Sequence, residues 1–267
     1  FIKMYYSKSK KKIFNEIKES GYTILNNIYS RKKINGVKKS LLSMLHYIDP
    51  RNKNLNLQSK YHQIKQYKPI LKRHFYDMCK NESEILRLVQ DSKIVDIAKG
   101  FFNTDVIFSS SPGILIFEDR RFFYPHQETH QFSINFLNLW SPLYDAKGSQ
   151  GGIAIYKDSH KHGYWKHNTN NKLNSTCVDP AIAKKFKRKI LKVNAGSVLL
   201  MHSALIHESV AMKKKQFARF VLNDRLCPLK KLPYLTKENA PKRIPYPGHG
   251  EGGNSVDYNS MNIYLND

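Results

Sequence analysis

The 267-residue chain is 40% hydrophobic and 12% aromatic, with a formal net charge of +24. This composition excludes a disordered or collagen-like chain, and apolar runs such as Ile114 to Phe117 are far below the roughly 18 residues of a membrane span. The basic excess is dispersed over residues 10–12, 31–33, 184–189 and 213–215, so it reads first as composition and only second as the footprint of a polyanionic partner.

The opening stretch, FIKMYYSKSKKK, lacks the apolar segment of a secretory signal. Residues 9–20 read as a helix with Ile13, Phe14 and Ile17 on one face, and a glycine stop precedes a short strand at Tyr22 to Leu25. Residues 31–48 are helical again, anchored by Leu41, Leu42, Met44 and Leu45. The stretch 50–68 is rich in Asn, Gln and Lys and reads as a loop or a poorly packed helix. Over 82–102 the helical pattern is strongest, with Ile94, Ile97, Ala98 and Phe101 at i, i+3, i+4 and i+7.

After residue 104 the period changes. DVIFSSS, GILIFED, QFSINFLNLWSPL, GGIAIYKDS, SVLLMHSALIHES and FARFVLNDRL are short and β-rich, separated by Gly, Pro, Asn or Asp. A polar loop and a basic, helix-like run at 164–190 interrupt them. Helices followed by six or more strands imply an α+β protein with a β-sandwich or jelly-roll core. The expected layout is a helical part over 1–103, a β core over 104–228 and a loop-rich tail over 229–267, with no flexible linker between them. Cys79, Cys177 and Cys227 are odd in number and far apart, which fits neither a disulfide framework nor a zinc knot; a reducing cytoplasm is the expected setting.

Residues i and i+2 of a strand share a face, so His126 and Glu128 in YPHQE aim at one point. A third leg must come from another strand, where His202 and His207 compete; their offset of five residues puts them on opposite faces of any unbroken strand. Two histidines and one carboxylate leave three positions open on an octahedral metal, which suits non-haem Fe(II); zinc is the alternative. No H-E-x-x-H helix is present, so a zinc protease finds no support. Twelve residues after His207, Arg219 offers a guanidinium to a carboxylate, and Ser209 shares the face of His207. His130 has the parity of His126 and Glu128 and is placed near a pocket mouth, whereas His160 and His162 read as polar residues closing a turn.

From about 114 to 225 the chain resembles the phytanoyl-CoA dioxygenase family of Fe(II)/2-oxoglutarate oxygenases. YPHQE looks like its H-Q-D iron motif. NLWSPLYDAKGSQGGIAIYKDSHKHG is similar to its tryptophan strand, acidic loop, glycine and Ser-His-Lys-x-Gly. NAGSVLLMHSALIHESV looks like its glycine turn and distal iron histidine, and RFVLNDR looks like its 2-oxoglutarate arginine strand; EIKESGYTILNN is similar to its opening helix and strand. The resemblance implies a double-stranded β-helix (jelly roll, cupin-like) with buttressing, mainly N-terminal helices in a single domain over 1–267. It implies Fe(II) held by His126, Glu128 and His207, 2-oxoglutarate gripped by Arg219 and Ser209, Trp140 and Ile114 lining the co-substrate pocket, and O2 as second co-substrate. Where the family has Asp, this chain has Glu128; the added methylene moves the carboxylate about 1.5 Å further from its strand. A retained carboxylate disfavours halogenation. The expected reaction is hydroxylation of an aliphatic C–H of a small, anionic or carrier-linked metabolite, giving succinate and CO2. The competing reading, from the charge alone, is a basic β-sandwich that binds nucleic acid or an acidic glycan without catalysis.

Overall fold

The structure is a computed structural model that describes residues 8–67, 70–109, 112–117, 123–128, 136–147, 151–165, 167–170, 175–212 and 217–228. The expectations for His130 and for the tail beyond residue 228 lie outside these described residues.

Helix α1 (Lys10–Ser20) starts where the Ser9 side chain accepts from Lys12 N and stops at Gly21, whose φ of 80° is the left-handed conformation that glycine adopts freely. Strand β1 (Tyr22–Leu25) follows, then helix α2 (Arg31–Ile48), capped by Ser30. The polar stretch expected to be loop or loose helix contains a well-packed helix, α3 (Leu57–Tyr67), burying Leu57, Tyr61 and Ile64. Its unexpected member is Lys60, fully buried because its ammonium binds Arg51 O and lies 3.3 Å from Asp49 Oδ2. Helix α4 (Leu71–Cys79) comes next. The strong helical pattern of 82–102 is two helices, α5 (Ser83–Val89) and α6 (Ser92–Phe102), because Glu82 and Asp91 each cap a new start.

The β core begins with β2 (Ile107–Ser109), β3 (Gly113–Phe117), β4 (Leu137–Pro142) and β5 (Gly152–Tyr156). A 3-10 turn at Ser159–His162 confirms the turn expected there. The 164–190 segment differs from expectation. It forms a hairpin of β6 (His167–Asn170) and β7 (Ser175–Val178), one turn of helix, α7 (Pro180–Ala183), and a strand, β8 (Arg188–Leu191). Three of the four β8 side chains are exposed, so its lysine and arginine reflect an outer strand rather than an amphipathic helix. Strands β9 (Val198–His202), β10 (His207–Val210) and β11 (Arg219–Pro228) complete the chain.

The larger sheet runs β1-β9-β4-β11-β2, with β3 also paired to β11; the smaller runs β10-β5-β8. Every pair is antiparallel. The two sheets face each other as a double-stranded β-helix. Alternation along the larger sheet separates two cores. Ile114, Ile116, Leu137, Leu139, Phe220 and Leu222 meet the helices, while Leu115, Phe117, Trp140, Leu199, Met201 and Val221 face the other way, against Ile153 and Ile155 of the smaller sheet. Strand β1 is an edge of the larger sheet, so the N-terminal part supplies a strand of the barrel as well as its buttress. Among the described residues no helix is long and apolar enough to cross a membrane, and the three cysteines are buried and form no disulfide with one another.

Candidate metal and co-substrate site

Residues 123–128 lie alongside β10. His126 N donates to His207 O and His207 N donates to His126 O, both at 3.0 Å, and Ser209 N donates to Phe123 O. This paired bridge sets the two imidazoles side by side, ring centroids 4.3 Å apart. Glu128 N donates to Ser203 O, turning its side chain toward the same point. Glu128 Oε1 is 3.7 Å from His126 Nε2 and 3.5 Å from His207 Nε2, and one donor atom from each residue lies within 4.8 Å of the others.

Both ring orientations are fixed from behind. His126 Nδ1 is 2.7 Å from Tyr124 O, and His207 Nδ1 is 2.9 Å from Leu205 O. A carbonyl can only accept, so each Nδ1 carries the proton and each Nε2 presents a lone pair to the centre. Burial lowers the pKa of His207, with the nearby His126 adding to the effect, which keeps the ring neutral and ready to ligate. Burial alone would raise the Glu128 carboxyl, but the Arg225 guanidinium beside it overrides this and holds it well below the ordinary range. A carboxylate and two imidazoles converging in a buried space are a donor set for a divalent first-row metal.

Gln127, between the two ligand candidates, points away. Its Nε2 donates to Gly163 O and Ala204 O, and its Oε1 accepts from Trp165 N, tying the site strand to the following loops. His202, the rival third ligand, sits elsewhere. The strand breaks after it, its Nδ1 accepts from Ala204 N, and its ring lies 5.8 Å from His160. His160 in turn donates from Nε2 to Lys18 O, closing the turn onto α1.

Arg219 begins β11 and points into the space between the sheets, only 2% exposed. Its Nη1 donates to Gly152 O at 2.6 Å, and its guanidinium carbon lies 4.4 Å from the Phe117 ring and 5.6 Å from Trp140. Its Nε has no hydrogen-bond partner, and among the described residues no carboxylate pairs with it. Burial pulls its pKa down to about 9, which still leaves it charged at neutral pH. A desolvated guanidinium without a counter-charge is costly unless a ligand supplies one. Gly151 makes the room: at φ +73°, a Cβ there would stand 2.9 Å from Arg219 Nη1. Gln58 of α3 holds the preceding residue by both backbone groups, accepting from Ala218 N and donating to Ala218 O. Ser209 pairs with Ile153, next to the Gly152 carbonyl that Arg219 grips.

Six of the seven site residues expected from the sequence therefore flank one interior space. Ile114 does not. Its side chain packs among the helices, because β3 alternates and it is Leu115 and Phe117 that face inward. The sequence reading also passed over Arg225 and Asn138. Arg225 donates from Nε (2.9 Å) and Nη2 (2.6 Å) to Glu128 Oε2, and Asn138 Nδ2 lies 3.3 Å from Glu128 Oε1. Strand parity could have found both, since Arg225 shares the face of Arg219 and Asn138 that of Trp140.

The profile of the family described as phytanoyl-CoA dioxygenase (PhyH) matches residues 17–220. The chain belongs to the phytanoyl-CoA dioxygenase family. It is accordingly an Fe(II)/2-oxoglutarate-dependent oxygenase, with O2 as co-substrate, and the donor set above fits that metal. Solved structures share the family's fold. EctD from S. alaskensis in its apoform is 15% identical, with a TM-score of 0.60, 92% of this chain and 85% of that one being covered. HygX from Streptomyces hygroscopicus, with nickel and 2-oxoglutarate bound, is 13% identical, with a TM-score of 0.57 and coverage of 87% and 94%. The epimerase SnoN from nogalamycin biosynthesis, in complex with Fe3+, alpha ketoglutarate and nogalamycin RO, is 11% identical, with a TM-score of 0.57 and coverage of 82% and 83%. Among curated proteins no match is found.

Proposed function

We propose that this oxygenase hydroxylates an aliphatic C–H bond of a small, anionic or carrier-linked metabolite, with His126, Glu128 and His207 as the iron ligands and Arg219 and Ser209 as the anchor of 2-oxoglutarate. The observation that carries this reading is the pairing of two incomplete sites in one interior: three metal donors facing one point, and a buried guanidinium that has no counter-charge among the described residues. A dicarboxylic 2-oxo acid satisfies both at once.

When bound, Fe(II) together with 2-oxoglutarate and O2 supplies the oxidant for C–H cleavage. The chain supplies position and dryness. Tyr124 O and Leu205 O hold the two Nε2 lone pairs inward. Arg219, braced by Gly152 O and flanked by Phe117 and Trp140, would hold the far carboxylate, with Ser209 on the neighbouring strand as a second donor. Phe117, Phe123 and Trp140 exclude water between the two ends. The retained carboxylate of Glu128 occupies the position that a halide would need, which favours hydroxylation.

The anionic part of the proposal rests on charge. Beyond the net +24, Lys157, Lys185 and Lys187 line a surface cavity of about 580 Å³ together with Asp158, His162, Trp165 and Phe186. Three buried cysteines that form no disulfide with one another support a reducing compartment such as the cytoplasm. The non-catalytic reading keeps only the charge in its favour. Iron-loaded protein given 2-oxoglutarate and metabolite pools sorted by charge tests the proposal. Succinate release stimulated by anionic fractions is expected; stimulation by neutral compounds alone would overturn the anionic part.

A further inference from the structure

The ligand carboxylate is held at both oxygens. Asn138 and Arg225 are cross-strand partners on β4 and β11, and each grips a different oxygen of Glu128. Arg225 takes Oε2 with two donors, while Oε1 is the atom that faces both imidazole Nε2 atoms. The Arg225 and Glu128 side chains are only 11% and 9% exposed, so water screens this pair little.

An Asp in this position has one torsion fewer and stops about 1.5 Å short. Glu has the reach to turn both oxygens onto a metal, which would consume a position that 2-oxoglutarate or O2 needs. We propose that Arg225 is a positioning residue that adapts the longer carboxylate to this site: by occupying Oε2 it leaves Oε1 alone to ligate, so that Glu128 serves as a one-point ligand. The inference rests on the ligand assignment proposed above and assigns Arg225 no contact with substrate or metal. It explains why the chain keeps a second arginine on the inner face of β11, six residues after Arg219, that is already satisfied by a carboxylate.

Co(II) titration of the ligand-free protein tests this, with metal affinity and the visible ligand-field spectrum as readouts. Arg225→Met is expected to weaken Co(II) binding about 10- to 100-fold, the usual cost of losing a partner that orients a ligand, and to change the spectrum as Oε2 is released. In a Glu128→Asp background the shorter side chain withdraws from Arg225, so adding Arg225→Met should change affinity less than about threefold. Equal losses in both backgrounds would show that Arg225 acts through the general fold, and no loss in the wild-type background would show that it does not position Glu128; either overturns the inference. If Arg225→Met does not fold, Arg225→Lys, with one donor for Oε2, is read the same way, with a smaller loss and a shifted spectrum expected. Failure of the ligand assignment looks different: His207→Ala would then bind Co(II) as tightly as the wild type.

Discussion

Replacing Arg219 by Met separates a ligand anchor from a structural arginine. In the ligand-free protein the guanidinium gives one hydrogen bond to Gly152 O and has no counter-charge among the described residues. A co-substrate carboxylate would add two charge-assisted hydrogen bonds, each contributing about 1.5–3 kcal/mol. Losing both, about 3–6 kcal/mol together, raises the KM for 2-oxoglutarate by roughly 10²- to 10⁴-fold. The effect on the ligand-free fold has the opposite sign to that of an ordinary core mutation. Removing a buried, uncompensated charge should leave Tm unchanged or raise it. Differential scanning fluorimetry with Ni(II) present reads both effects. For the wild type, 2-oxoglutarate at about a hundredfold excess over Kd adds about 2.7 kcal/mol, roughly 5–10 °C for a chain of this size, and the variant should show no such shift. A variant that loses several degrees without ligand yet keeps its KM within about twofold would refute the reasoning, because Arg219 would then be a structural group.

Four other substitutions probe the glycines, the buried lysine and the rival histidine. Gly151→Ala and Gly163→Ala share a φ of +73°, but a Cβ at 151 meets Met212, Arg219 and Val210 while at 163 it meets nothing within 4 Å. Both should lose stability from backbone strain, about 1–3 kcal/mol each, with Gly163 at ψ −147° in a region essentially reserved for glycine, and only Gly151→Ala should also raise the KM for 2-oxoglutarate; equal KM values would contradict the crowding at Arg219. Asp49→Asn leaves the buried Lys60 ammonium without its carboxylate and should cost about 3–5 kcal/mol in urea unfolding, whereas a cost below about 1 kcal/mol would mean that the carbonyl of Arg51 suffices. Burial, with His160 nearby, lowers the pKa of His202 to about 4. The ring is then neutral when folded but protonates near 6.5 when unfolded, so stability is full above about pH 6.5 and falls toward pH 4, by at most about 1.4 kcal/mol per pH unit for this group. His202→Asn should flatten that part of the urea-derived profile; an unchanged slope would contradict the assignment.

Periodicity located most elements, and strand parity placed Trp140, Ser209 and Arg219 on the inner face. His126 and Glu128, expected on a strand, instead lie on a segment joined to β10 by the isolated bridge at His126, and Glu128 is turned in by its bond to Ser203 O. Where the reading fell short, the cause was long-range. Helix α3 looks polar until Asp49 and Arg51 O supply partners that let Lys60 be buried. The run around Lys185 to Lys189 has helical composition, yet pairing with β5 draws Arg188 to Leu191 into an outer strand. Ile114 was one residue out of phase, which in a strand is the opposite face. The choice between His202 and His207 could not come from spacing, because the chain turns between them and only pairing with residues 123–126 selects His207.

The central claim is that His126, Glu128 and His207 hold one ferrous ion on which 2-oxoglutarate chelates with its far end on Arg219. Anaerobic titration of Fe(II)-loaded protein with 2-oxoglutarate tests it most directly, because the visible charge-transfer band of a chelated 2-oxo acid appears only when metal and co-substrate share a site. The account predicts a band saturating at one metal per chain, absent in His207→Ala and shifted to far higher 2-oxoglutarate in Arg219→Met. A band of the same intensity and affinity in His207→Ala would contradict it.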